Sequence, residues 1–182
     1  PKVSELGSQL EIPTAFKLTQ LLVEGGNKVV ITTTTPDAET DDEQELMDRK
    51  FNSSQNPDKV KVIGSKLIHD DNENEKIGKR YESYYRHVRE IHDVSTIIAF
   101  APMTTDFALY LKEVYEEWHK KRVKLFVVIT KQQLSDHDEK WLQEAAHIFS
   151  LGPQVKNSIE TQLNTFPENQ EKYSNKHTEF LP

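Results

Sequence analysis

The chain contains no cysteine among its 182 residues. This absence excludes disulfide bonds, thiolate nucleophiles and cysteine-ligated zinc sites, and it favours a cytoplasmic location. Glycine is scarce as well, with six residues, and neither a Gly-x-x-x-x-Gly-Lys loop nor a Gly-x-Gly-x-x-Gly fingerprint occurs. The two usual phosphate-binding loops are therefore missing, and we predict no bound cofactor.

Long apolar runs and an excess of basic residues are also lacking. No apolar run approaches the length of a membrane span, so we predict no membrane-embedded segment. The net charge is −7, which disfavours a nucleic-acid partner. The one stretch that mixes basic and aromatic residues, Lys76–Arg89, places its apolar side chains at helical spacing. We interpret it as an amphipathic helix rather than a nucleic-acid patch, and we predict no nucleic-acid binding.

What the chain does have is an alternation of short β-branched runs with longer stretches of helical period. This alternation predicts an α/β domain with a parallel sheet of about six strands and helices on both faces. A weaker first strand is expected at residues 2–8. We predict a single Rossmann-like domain over residues 1–163, followed by a polar segment, 164–182, that docks on the domain or leaves it. The five clearer strands are expected at Lys28–Thr33, Val60–Ile63, Ser95–Ala101, Lys124–Thr130 and His147–Leu151.

Residues that directly follow the strands are the candidates for a ligand site, because open parallel sheets bind ligands at the carboxyl ends of their strands. The set is rich in hydroxyl and amide groups, with one cation and one carboxylate. Such a composition suits a sugar or polyol better than a polyphosphate. The candidate ligand-binding residues are Gln9, Thr34, Thr35, Thr104, Thr105, Asp106, Lys131, Gln132 and Gly152.

Other polar groups give no catalytic or metal site. The seven histidines are scattered without zinc-ligand spacing, and no serine lies in a Gly-x-Ser-x-Gly turn. The clusters 41–43 and 69–71 could bind a hard metal ion only with partners from elsewhere, and we favour solvated charge at a helix start. The run Thr32–Thr35 could contact a ligand, although a β-favouring strand end is the preferred interpretation. We predict no catalytic residue and no metal ligand.

One family resemblance covers most of the chain. Residues 92–163 contain the strand HDVSTIIAFA, the strand KRVKLFVVIT and the helix-to-strand segment Trp141–Pro153. This series resembles the second half of the N-terminal domain of retaining, two-domain (GT-B) glycosyltransferases. Residues Glu11–Pro36 resemble the first βαβ unit of that family, and the final HTEFLP resembles the point where its chain leaves for the C-terminal domain.

The resemblance implies strand order 3-2-1-4-5-6, an acceptor-side cleft, and a sugar or nucleotide-sugar ligand shared with a missing C-terminal domain. Two departures matter: Gln9–Pro13 stands where the family places glycines, and Phe100–Pro102 where it often places a histidine. We therefore expect a binding or regulatory module, or half of a larger enzyme, without transfer activity of its own. The alternatives are a protein-interaction module that binds a protein partner and no small molecule, and a complete small flavodoxin-like or Rossmann-like enzyme.

Overall fold

The computed structural model describes residues 11–33, 37–52, 57–64, 91–101, 104–130, 134, 138–165 and 178–181. The chain divides into two compact units, Pro1–His87 and Val88–Pro182. Both units are mixed α/β, and every described strand pair is parallel. The predicted α/β class with parallel strands is therefore confirmed. None of the described helices is long and apolar enough to cross a membrane.

In its described residues, the first unit contains two helices and a two-stranded sheet. In chain order these elements are α1 (Glu11–Glu24), β1 (Val29–Thr33), α2 (Asp37–Phe51) and β2 (Val60–Gly64). A small apolar cluster joins the fully buried Met47 of α2 to Val60 and Val62 of β2. The Phe16 ring of α1 lies 4.9 Å from the Phe51 ring of α2, so both helices pack in the same cluster.

The described part of the second unit forms a four-stranded parallel sheet with three helices. Its elements are β3 (Thr96–Ala101), α3 (Thr105–His119), β4 (Lys124–Ile129), α4 (Glu139–Glu144), β5 (Ala145–Leu151), α5 (Pro153–Thr165) and β6 (Thr178–Leu181). The strands are adjacent in sequence order, β3-β4-β5-β6. Each crossover therefore moves in the same direction, and right-handed crossovers then put their helices on one face of the sheet.

The core of the second unit agrees with this topology. Side chains that alternate along the strands, such as Ala99, Val127 and Ile148, form one buried cluster with all three helices. The helices contribute apolar side chains of α3, α4 and α5, among which Trp141 and Ile159 are fully buried. Within each unit, the helices named above thus cover one face of their sheet.

The order of the described strands agrees with part of the predicted sheet. The predicted adjacencies of the strands near residues 30 and 60, near 98 and 126, and near 126 and 148 are all present. The adjacencies that join these pairs into one six-stranded sheet run through the strand predicted at residues 2–8, which lies outside the described residues. A single sheet of order 3-2-1-4-5-6, and a single domain over residues 1–163, stay predictions. The helix expected at residues 76–89 also lies outside them.

The start of β5 and the existence of β6 differ from expectation. β5 begins at Ala145, directly after α4, rather than at His147. Its buried residue Ala145 belongs to the core, and the ladder with β4 has an irregularity between Leu125 and Phe126 that accommodates the early start. Residues 178–181 form β6, a strand that the polar composition of this segment did not predict.

Candidate functional site

Four of the predicted ligand-binding residues lie at the carboxyl edge of the second unit's sheet. Thr104, Thr105 and Asp106 follow β3, and Gly152 follows β5, so these four lie after strands that flank β4. Adjacent strands are about 4.8 Å apart, which places the ends of β3 and β5 roughly 10 Å from each other. The other predicted residues, Gln9, Thr34, Thr35, Lys131 and Gln132, lie outside the described residues.

Thr104 uses its hydroxyl group to shape the turn from β3 into α3. Its Oγ1 accepts a hydrogen bond from Phe100 N–H at 2.8 Å and lies 3.2 Å from the Phe100 carbonyl oxygen, to which it can donate. The backbone N–H of Thr104 donates to the same carbonyl at 2.9 Å. This side chain therefore fastens the end of the strand, and it makes no capping hydrogen bond to α3.

The two residues that begin α3 differ in their access to solvent. Thr105 is buried, with 3% of its surface exposed. Asp106 is exposed in the first turn of the helix, where the partial positive charge of the helix N-terminus favours a carboxylate. Of the three predicted residues after β3, Asp106 is therefore the one that is exposed to solvent.

Gly152 marks the matching position after β5. Its φ of +99° lies in the region that favours glycine, and no heavy atom of the described residues lies within 4 Å of where a Cβ would stand. Its N–H donates to the Ser150 carbonyl at 3.1 Å, and its carbonyl accepts from Lys156 N–H in the first turn of α5. The backbone at this turn is thus bare on one side, and a ligand could approach it closely.

Thr130, directly after β4, joins the end of β4 to the end of β3. Its Oγ1 donates to the carbonyl oxygen of Ala101, the last residue of β3, at 3.0 Å. Thr130 was not among the predicted ligand-binding residues, because it lies within the strand expected at Lys124–Thr130. A threonine at a strand end, next to candidate residues of the following loop, is the signal that could have identified it.

A row of three aromatic rings crosses the other face of the sheet. Phe126 of β4 lies 4.9 Å from the ring of His147 and 5.9 Å from the ring of Phe149, both on β5. Phe126 and Phe149 are half-buried, and His147 is exposed. Phe126 and Phe149 stand outside the core cluster that contains α3, α4 and α5, so this row is an aromatic surface feature of the sheet.

The amino edge of the same sheet holds two histidines. The rings of His92 and His119 lie 5.6 Å apart, and the His119 ring lies 4.3 Å from that of Tyr115. Nearby, Lys121 Nζ donates a hydrogen bond to Asp93. This bond lowers the pKa of Asp93 and raises the pKa of Lys121. Within the described ranges, no group of three or more histidine, aspartate or glutamate side chains could hold a metal ion.

Charged side chains of α3 form ion pairs with each other and with α4, and one of them bonds to the backbone just before β4. Lys112 Nζ lies 3.0 Å from a carboxylate oxygen of Glu144 and 3.2 Å from one of Glu116. Burial works to lower the pKa of Lys112, but its hydrogen bonds with the two glutamates outweigh burial and raise that pKa from 10.5. Burial also works to raise the pKa of Glu116, and hydrogen bonds from Val123 N–H and Lys112 outweigh it and lower that pKa from 4.5.

The chain matches no family model, no curated protein and no solved structure. The glycosyltransferase resemblance consequently rests on the residues quoted for it in the sequence.

Proposed function

We propose that the chain is a glycosyltransferase-like acceptor-side domain that binds a sugar or nucleotide-sugar ligand at the carboxyl edge of β3, β4 and β5. The observation that supports this most directly is that an exposed carboxylate, Asp106, and an open glycine turn, Gly152, follow the two strands on either side of β4. A carboxylate accepts hydrogen bonds from the hydroxyl groups of a sugar, and an open backbone turn admits a ring at close range.

In this proposal, two of the predicted hydroxyl-bearing residues have a role other than direct ligand contact. The Thr104 hydroxyl is hydrogen-bonded to the backbone of Phe100 in β3, and Thr105 is buried, so neither is a suitable direct ligand contact. We assign their role to shaping the loop that presents Asp106. The remaining members of the proposed site, Gln9, Thr34, Thr35, Lys131 and Gln132, stay candidates because their sequence positions also follow predicted strands.

The proposal includes the finer expectations that accompany the resemblance. Among them is the six-stranded order 3-2-1-4-5-6, with the predicted strand at residues 2–8 in the sheet. A C-terminal domain outside residues 1–182 would hold the nucleotide sugar, so these residues alone would have no transfer activity. The absence of cysteine favours a cytoplasmic location for such a module.

An amide-resolved NMR titration tests the proposed function. The isotopically labelled chain is titrated separately with simple saccharides, nucleotide sugars and free nucleotides. Shifts confined to residues near Asp106 and Gly152 are expected with at least one saccharide or nucleotide sugar. The variant Asp106→Asn should weaken the binding by about tenfold, the loss of one charge-assisted hydrogen bond. Glu117→Gln, an exposed carboxylate at the other end of α3, is the matched control and should leave it unchanged.

A protein-interaction module is the second candidate function, and the aromatic row of Phe126, His147 and Phe149 favours it. Half-exposed aromatic rings are common where proteins meet, because they bury large area at small entropic cost. The same titration separates the two candidates. If a folded chain shows no shift with any saccharide, nucleotide sugar or nucleotide, the acceptor-side domain is rejected in favour of the interaction module.

A further inference from the structure

The outer edge of β2 is closed by side chains rather than by a strand. In the described part of the chain, β2 pairs with β1 alone. Alternate backbone groups of an edge strand point away from its neighbour and need partners, and such an edge is a template for pairing with another chain. In this protein the partners are carboxamide groups of Gln44, on α2, and Asn52, directly after it.

The hydrogen bonds reproduce those of a neighbouring strand. Val62 N–H donates to Gln44 Oε1 at 2.6 Å, and Gln44 Nε2 donates to the Val60 carbonyl at 3.0 Å. Val60 N–H donates to Asn52 Oδ1 at 2.9 Å, and Asn52 Nδ2 donates to the Val60 carbonyl at 3.1 Å. A carboxamide has one acceptor oxygen and one donor nitrogen, as a peptide group does, so two side chains satisfy three backbone groups of β2.

A carboxylate between the two amides fixes their orientation. Asp48 Oδ1 accepts a hydrogen bond from Gln44 Nε2 at 2.6 Å and from Asn52 Nδ2 at 2.5 Å. A carboxylate at neutral pH only accepts, so it holds both amide nitrogens towards itself and leaves both amide oxygens for the N–H groups of β2. The spacing 44, 48, 52 puts the three residues in line along α2 and its end.

We propose that Gln44, Asp48 and Asn52, hereafter the edge triad, prevent β2 from pairing with β2 of a second copy of this chain. The identical edge of another copy is the partner that the geometry favours, because a two-fold axis lets both edges satisfy each other in one contact. The strand itself suits such pairing, since Val60, Val62 and Ile63 are β-branched. The edge triad thus keeps a strand that is ready to associate in a non-associating state, independently of the function proposed above.

The test removes both amides while keeping the size and apolar character of the side chains. In the double variant Gln44→Met/Asn52→Leu, sedimentation equilibrium over a concentration series should show self-association about tenfold to a hundredfold tighter than in the native chain. Hydrogen exchange at the Val60 and Val62 amides should slow as the concentration rises. Gln20→Met is the matched control, since among the described residues the Gln20 amide bonds to Lys17 and Glu24 of its own helix.

A purely structural role of the triad gives the opposite result. The double variant would then sediment like the native chain, and the Val60 and Val62 amides would exchange faster at every concentration, which would overturn the proposal. If circular dichroism shows that the double variant does not fold, Asp48→Asn is measured in the same way. That variant leaves both amides in place but frees their orientation, so weaker association of the same kind is expected, and its complete absence rejects the edge triad as a guard.

Discussion

The two units of this chain stabilise similar parallel strands by different means. In the described part of the first unit, the apolar cluster has only Met47, Val60 and Val62 fully or nearly buried, and side-chain amides of α2 bond to the backbone of β2. In the described part of the second unit, three helices bury a much larger apolar cluster against β3, β4 and β5. The comparison teaches that a small core can be supplemented by directional bonds to a strand edge.

The most damaging change should be in the larger core. Trp141 is fully buried, and its Nε1–H donates to Asp138 Oδ1 at 2.7 Å. We expect Trp141→Ala to lower the free energy of unfolding of the second unit by about 4 kcal/mol, because it leaves a cavity beside a buried carboxylate that has lost this donor. Urea unfolding measures the loss. Trp118→Ala, at a side chain that is 46% exposed, is the control, and an equal loss there would contradict the argument.

The smaller core should be less sensitive to a comparable deletion. Met47→Ala truncates a side chain of α2 that has no accessible surface. We expect a loss of about 3 kcal/mol, since only a few neighbours surround the cavity and α2 can move towards β2. Unfolding followed at amides of β1 and β2 gives the value. Leu21→Ala, at an exposed position of α1, should cost much less, and a Met47 loss above that of Trp141 would break the comparison between the units.

A single hydrogen bond at the amino edge of the second unit comes next in size. Tyr115 is buried, and its hydroxyl oxygen accepts from Val94 N–H at 2.8 Å. Tyr115→Phe keeps the ring and leaves that N–H without its acceptor, so we expect a loss of about 1–2 kcal/mol. Denaturant unfolding gives the loss, and hydrogen exchange locates it at the segment before β3. Unchanged exchange at Val94 would show that another group replaces the hydroxyl.

The smallest effect should depend on pH. The pKa of Glu116 is lowered in the folded chain, so its contribution is present above its ordinary pKa of 4.5 and is lost as the pH falls through the lowered value. Glu116→Gln should therefore reduce stability by about 1 kcal/mol or less at neutral pH. The native chain and the variant should approach each other in stability below pH 4.5, where the native carboxylate takes up its proton. Thermal unfolding across the acid range measures both, and a difference that grows as the pH falls would contradict the assigned sign.

The sequence predicted the positions of several strands and which of them are neighbours. The runs Val29–Thr33 and Lys124–Ile129 lie within the strands expected from their β-branched composition, because that signal is local. The adjacency of β3, β4 and β5 follows from the alternation of strands with helices, since crossover connections favour parallel neighbours. Strand starts were less accurate, as at Ala145, because core packing sets where a ladder begins.

The sequence positions of the candidate residues relative to the strands were predictable, but the contacts of their side chains were not. Thr104, Asp106 and Gly152 lie after strands, as the alternation of elements requires. Their different roles depend on neighbours that the spacing does not reveal: Thr104 bonds to Phe100, whereas Asp106 is exposed to solvent. The edge triad was missed for the same reason, because Gln44 and Asn52 look like ordinary helix-surface residues until β2 lies beside them.

The sequence by itself determined the α/β class, the placement of most strands and the absence of cysteine chemistry, since each depends on composition or on periods of a few residues. Only the tertiary structure decided that Thr104 serves the backbone, that residues 178–181 form a strand beside β5, and that two amides close the edge of β2. The physical reason is range. Hydrogen bonds and strand pairs join groups that are distant along the chain, and their partners exist only once the backbone has brought them together.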